Sequence, residues 1–60
     1  MTKVEFLKAR WCCSSMAKVE NELIGKQILP VLSVDFYRET ITVLVGVSPV
    51  ICDRAEVEIV

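Results

Sequence analysis

A chain of 60 residues has room for one domain, yet 53% of its side chains are hydrophobic. A domain this short buries only about 60% of the surface that its unfolded chain exposes. It therefore carries more apolar surface than one small core can hide. Two outcomes are compatible with that surplus, a protein that associates with copies of itself or a cut-down version of a larger fold. The charge balance narrows the partners. Seven basic and eight acidic residues give a net charge of −1 with no basic stripe, which leaves nucleic acid binding without an electrostatic footing. No segment reaches the roughly 18 consecutive apolar residues of a membrane span. The early acid in Met1-Thr2-Lys3-Val4-Glu5 interrupts a signal-peptide pattern, so a cytoplasmic location is expected.

The cysteines fit a reducing compartment. There are three, an odd number, and Cys12 and Cys13 are adjacent, which would close a strained small ring if they bonded each other. The chain has no histidine, and with it go the usual general base, zinc nitrogen ligand and pH switch.

Hydrophobic patterning divides the chain as follows. Lys3 to Ala9, with Val4, Phe6 and Leu7, reads as a first strand covered on both faces. Ser14 to Ile24 reads as an amphipathic helix, with Met16, Val19 and Leu23 on one stripe, Ser14 or Ser15 as its cap and Gly25 at its end. Ile28 to Phe36 is a second strand with Pro30 at its beginning or on an edge. The β-branched run Thr40 to Val45, within Arg38 to Val47, favours a strand, and becomes a short helix only if packing overrides propensity. Gly46 to Pro49 is a break. Val50 to Cys52 is a short strand, Asp53-Arg54 a turn, and Ala55 to Val60 a half-exposed strand with Val57 and Ile59 on one face and Glu56 and Glu58 on the other.

The run Leu7-Lys8-Ala9-Arg10-Trp11-Cys12-Cys13-Ser14-Ser15, placed between a strand and a helix, resembles the motif of the thioredoxin family. Leu32-Ser33-Val34-Asp35 is similar to that family's second strand, and Pro49 falls near its cis-proline. The resemblance implies an α/β fold: a minimal thioredoxin-like domain over residues 1–60, lacking the final helix, with a mixed sheet and a C-terminal β-hairpin. It implies thiol–disulfide exchange, or binding of a thiol-bearing partner, centred on Cys12. A thiolate at a helix N-terminus is stabilised by free N–H groups and the helix dipole. Trp11 would present the site, Pro49 would line the groove, and Ser15 stands where the second motif cysteine belongs. Partners would be a thiol- or disulfide-bearing protein or glutathione, with no cofactor, and Cys52 would be a core residue.

Two other readings stand beside it. Cys12 followed by Met16-Ala17-Lys18-Val19-Glu20 also resembles the heavy-metal-associated domain of copper chaperones, with Cys12, Cys13 and Met16 as soft ligands for Cu(I) and a hairpin over Val31 to Val45. The third reading has no chemistry: a small interaction protein that dimerises through an exposed apolar face. No paired carboxylates, phosphate loop or Ser/His/Asp set supports hydrolase, kinase or nucleotide chemistry.

Overall fold

The computed structural model of the chain describes residues 1–9, 11 and 15–60. Helix α1 (Lys3–Lys8) is followed by β1 (Met16–Asn21), β2 (Gly25–Asp35), β3 (Thr40–Val45), β4 (Ser48–Asp53), a single 3-10 turn (Arg54–Glu56) and β5 (Val57–Ile59). The strands form one sheet in the order β4-β3-β2-β1-β5, and every pairing is antiparallel. This overturns the expected thioredoxin-like α/β fold with its mixed sheet. Among the described residues the protein is a small, mainly β domain with one short α-helix.

Local chemistry explains each departure. Lys3 to Ala9 is helical because Thr2 and Glu5 form a capping box. Thr2 Oγ1 accepts from Glu5 N at 3.2 Å and Glu5 Oε1 accepts from Thr2 N at 2.9 Å. The same bonds to Thr2 hold the Glu5 carboxyl below the usual carboxylate range. The expected helix from Ser14 to Ile24 is a strand over Met16–Asn21, where exposure alternates residue by residue and Ala17 and Val19 point inward. The side chain of Asn21 then turns the chain, its Oδ1 accepting from Leu23 N and Ile24 N at 3.0 Å each. Gly25 closes this hairpin at φ 69°, a conformation that costs glycine nothing. The strand expected over Thr40 to Val45 is β3. The expected C-terminal hairpin is absent, because β4 and β5 lie at opposite ends of the sheet.

That last placement curls the sheet. Four interstrand spacings of a flat sheet would separate β4 from β5 by about 19 Å. The link between them is one 3-10 turn, Arg54–Glu56, and even a fully extended chain from Asp53 to Val57 reaches only about 14 Å. The strands must therefore wrap toward one another, enclosing Phe6, Ala17, Val19, Leu29, Val31, Ile41, Val43, Cys52 and Val57.

Strand β2 is where the sheet bends. Its first half pairs with β1 as far as Met16–Pro30, and its second half pairs with β3 from Val31–Val43 onward. Pro30 has no N–H with which to extend the β3 ladder. Leu32 is an extra residue between the pairs Val31–Val43 and Ser33–Thr42, a bulge that reverses which residues face inward. Leu29 and Val31 are buried before it, and Val34 packs against the core after it.

The link from β4 to β5 is held from three sides. Arg54 N donates to Glu39 O at 3.0 Å, Arg54 Nε donates to Glu39 Oε1 at 2.8 Å, and Arg54 Nη1 donates to Met1 O at 3.1 Å. Glu39 sits in the left-handed region at φ 56°, a strained conformation for a side chain of this length. Replacing Arg54 by Met keeps the aliphatic stem and removes these charge-assisted bonds. The expected loss is about 1–3 kcal/mol, read as a lower urea midpoint at unchanged slope. An unchanged midpoint would show that the link holds without Arg54.

Candidate functional site

Strand register assigns every residue to a face and an edge. In β4, Arg54 N bonds Glu39 O, so the alternate residues Ser48, Val50 and Cys52 direct their backbone groups to β3. Pro49, Ile51 and Asp53 direct theirs to the free edge. Pro49 has no N–H, and Asp53 N already donates to Glu56 Oε1 at 3.0 Å. Only Ile51 offers an open donor and acceptor. In β5, Val60 N donates to Met16 O, which leaves Val57 and Ile59 facing outward. Val57 N is bonded to Arg54 O, and Val57 O accepts from the Met1 ammonium at 2.8 Å. Only Ile59 is left open. Among the described residues, each edge is thus narrowed to one open position, by Pro49 and the Asp53–Glu56 bond on β4 and by the Arg54 and Met1 bonds on β5.

The outer face is different. Val60, just past β5, lies beside Met16 on β1, which pairs with Pro30 on β2; farther along the same row Leu44 on β3 pairs with Pro49 on β4. Ile28 and Leu32 flank Pro30 along β2. Ile28 is 57% exposed and Val60 72%, with Leu32 and Met16 also open to solvent. The result is an apolar belt across the outside of the curled sheet. Scattered exposed hydrophobic residues are ordinary on any protein, but a contiguous band rimmed by polar groups marks a binding surface.

One flank of the belt is charged. Lys18 pairs with Ile28 on one side and Glu58 on the other, and Glu20 pairs with Lys26. Lys18, Glu20, Lys26, Glu56 and Glu58 line a shallow cleft of about 180 Å³. Among the described residues, none of Lys18, Glu20, Lys26 and Glu58 is in an ion pair.

The described residues expected to carry thiol chemistry, Trp11, Ser15 and Pro49, lie in separate parts of the fold. Cys12 and Cys13 lie outside the described residues. The helix that was to follow Cys12 is strand β1, so the helix N-terminus invoked to lower its pKa is absent, and both family resemblances lose the helix that they require. Trp11 packs into the core, its ring 6.0 Å from that of Phe6, and its buried Nε1 has no hydrogen-bond partner among the described residues. Ser15 precedes β1 and accepts at its carbonyl from Val31 N. Pro49 lies on the outer face of β4, three places away in the strand order, and no described peptide bond is cis. Met16, an expected metal ligand in the alternative reading, belongs to the belt, and no group of three potential metal-binding side chains occurs among the described residues.

The belt itself has a sequence signal, the five consecutive apolar residues Ile28 to Leu32. A strand buried on one face needs only alternate positions apolar, so such a run places hydrophobic residues on the outer face as well. Its extent across other strands depends on register, which the sequence does not display.

No helix among the described residues is long and apolar enough to cross a membrane. No family model, curated protein or solved structure matches the chain.

Cys52 is a fully buried core residue whose Sγ accepts from Asn21 Nδ2 at 3.8 Å. Burial pushes its thiol pKa up, and the charge of Glu56 adds to the effect. The unfolded chain therefore releases this proton at lower pH than the folded one. The contribution of Cys52 to stability is complete below the unfolded thiol pKa and is lost as the pH rises through the folded value. Native protein should leave Cys52 unalkylated by iodoacetamide, as peptide mapping would show, with labelling appearing on unfolding. Labelling of Cys52 at the rate of a free thiol in the native state would contradict this burial.

Proposed function

We propose that this protein is a small non-catalytic interaction module whose recognition surface is the apolar belt on the outside of its sheet. The observation that carries this reading is the exposed row Val60, Met16 and Pro30 with Ile28 and Leu32 beside it, on a domain whose strand edges offer few open backbone groups. A partner that added a strand would meet Pro49 and the Asp53–Glu56 bond on one edge and Met1 on the other. A partner that lies flat on the face meets hydrophobic side chains whose removal from water is favourable by roughly 25 cal/mol per Å². Thiol–disulfide exchange is not carried forward, because its activating helix is replaced by β1.

The test uses neutral, β-branched replacements that suit a strand. At a concentration where the chain is monomeric, native protein is expected to bind an apolar naphthalene-sulfonate dye. The Ile28→Thr and Met16→Thr variants should bind it several-fold more weakly, with stability changed by no more than about 0.5 kcal/mol, as is usual for surface positions. Dye binding that is absent from the native chain, or indifferent to both substitutions, would overturn the reading.

A further inference from the structure

Building on the belt as a recognition surface, we infer that its occupant is a second copy of this chain, packed face to face across the β1–β2 hairpin with a two-fold axis running parallel to the strands and midway between them. The charge pattern makes this assignment. Register places Met16 opposite Pro30, Lys18 opposite Ile28, and Glu20 opposite Lys26 on the outer face of the hairpin. A two-fold axis between β1 and β2 exchanges the members of each pair. Glu20 then faces the partner's Lys26, and Lys26 faces the partner's Glu20. Met16 lies on the partner's Pro30, and the aliphatic stem of Lys18 covers the partner's Ile28. Met16 and Pro30 meet as apolar groups, Ile28 is covered by an aliphatic stem whose ammonium stays at the rim, and Glu20 and Lys26 meet as opposite charges. An isologous interface of this kind must be self-complementary, and this face is.

A uniformly acidic or basic partner would leave Glu20 or Lys26 facing a like charge. Among the described residues, neither is in an ion pair. A net charge of −1 puts little long-range repulsion between two copies. The contact is modest in size. Two strands about 5 Å apart and six residues long present a face of roughly 200 Å² at the hairpin itself, widened by Leu32 and Val60. That is well short of the ~800 Å² per partner of a standard stable complex, so the dimer forms reversibly as concentration rises.

Charge reversal tests the arrangement. In sedimentation equilibrium over a wide concentration range, the native chain should pass from monomer to dimer. The variants E20K and K26E should each associate at least tenfold more weakly, because like charges then face one another. An equimolar mixture of the two should recover association, because each reversed residue then faces its opposite. The double variant E20K/K26E in one chain should self-associate like the native protein, and it keeps the hairpin's own cross-strand charges opposite if a single reversal harms folding. Ile28→Thr should also weaken association without unfolding the chain. A native chain that stays monomeric, single reversals that associate normally, or a mixture that shows no recovery would each overturn the dimer. If the native chain stays monomeric while its dye binding remains sensitive to Ile28→Thr, the recognition surface stands and the second copy is the wrong occupant. Loss of both results removes the surface as well.

Discussion

Everything in this architecture follows from the shortness of the bridge between β4 and β5. Three residues, Arg54, Ala55 and Glu56, join strands that stand at opposite ends of a five-stranded order. No flat sheet can satisfy that link, so the wall must curl, and curling gives 60 residues an inside at all. The bridge is fixed by groups distant in sequence. Glu39 from the β2–β3 turn and Met1 from the start of the chain both bond Arg54, and Lys3 of α1 lies 3.9 Å from Glu39. Helix α1 places Phe6 in the enclosed space, where its ring meets Phe36 edge-on at 5.7 Å.

Curling also divides the surface into parts with different uses. Edges are the usual hazard of a small sheet, since unpaired N–H and C=O groups invite any extended chain. Here they are narrowed to single open positions, Ile51 and Ile59, by backbone-level devices that cost no apolar area. Much of the hydrophobic surplus sits instead on the convex face. A surface of this kind suits regulated or concentration-dependent association better than permanent assembly.

The elements whose chemistry is local were legible in the sequence, and those settled by distant contacts were not. Of the strand and short helix left open over Thr40 to Val45, the strand forms, as the β-branched side chains favour, and Cys52 is in the core as its apolar setting implied. The stretch around Met16 to Asn21 went the other way. Met16, Val19 and Leu23 fit a helical stripe, but Ala17 and Val19 fit a two-residue period equally well, and only pairing with β2 and β5 decides between them. Lys3 to Ala9 is an exception among the local elements: the apolar run Val4 to Leu7 reads as a strand, and the capping box at Thr2 and Glu5 that makes it a helix was passed over. The hydrophobic surplus was legible in the composition. Its location could not be read, since it depends on register across the strands and on the reversal of faces at Leu32.

Pro30 leaves one more mark on the molecule. At that residue β2 passes from one neighbour to the other: Pro30 pairs with Met16 of β1, and Val31 pairs with Val43 of β3 while its N–H still donates to Ser15 O on the β1 side. The wall is thus a pair of hairpins sharing a single spine, stitched together at Val31 directly beside a residue that has no N–H to offer.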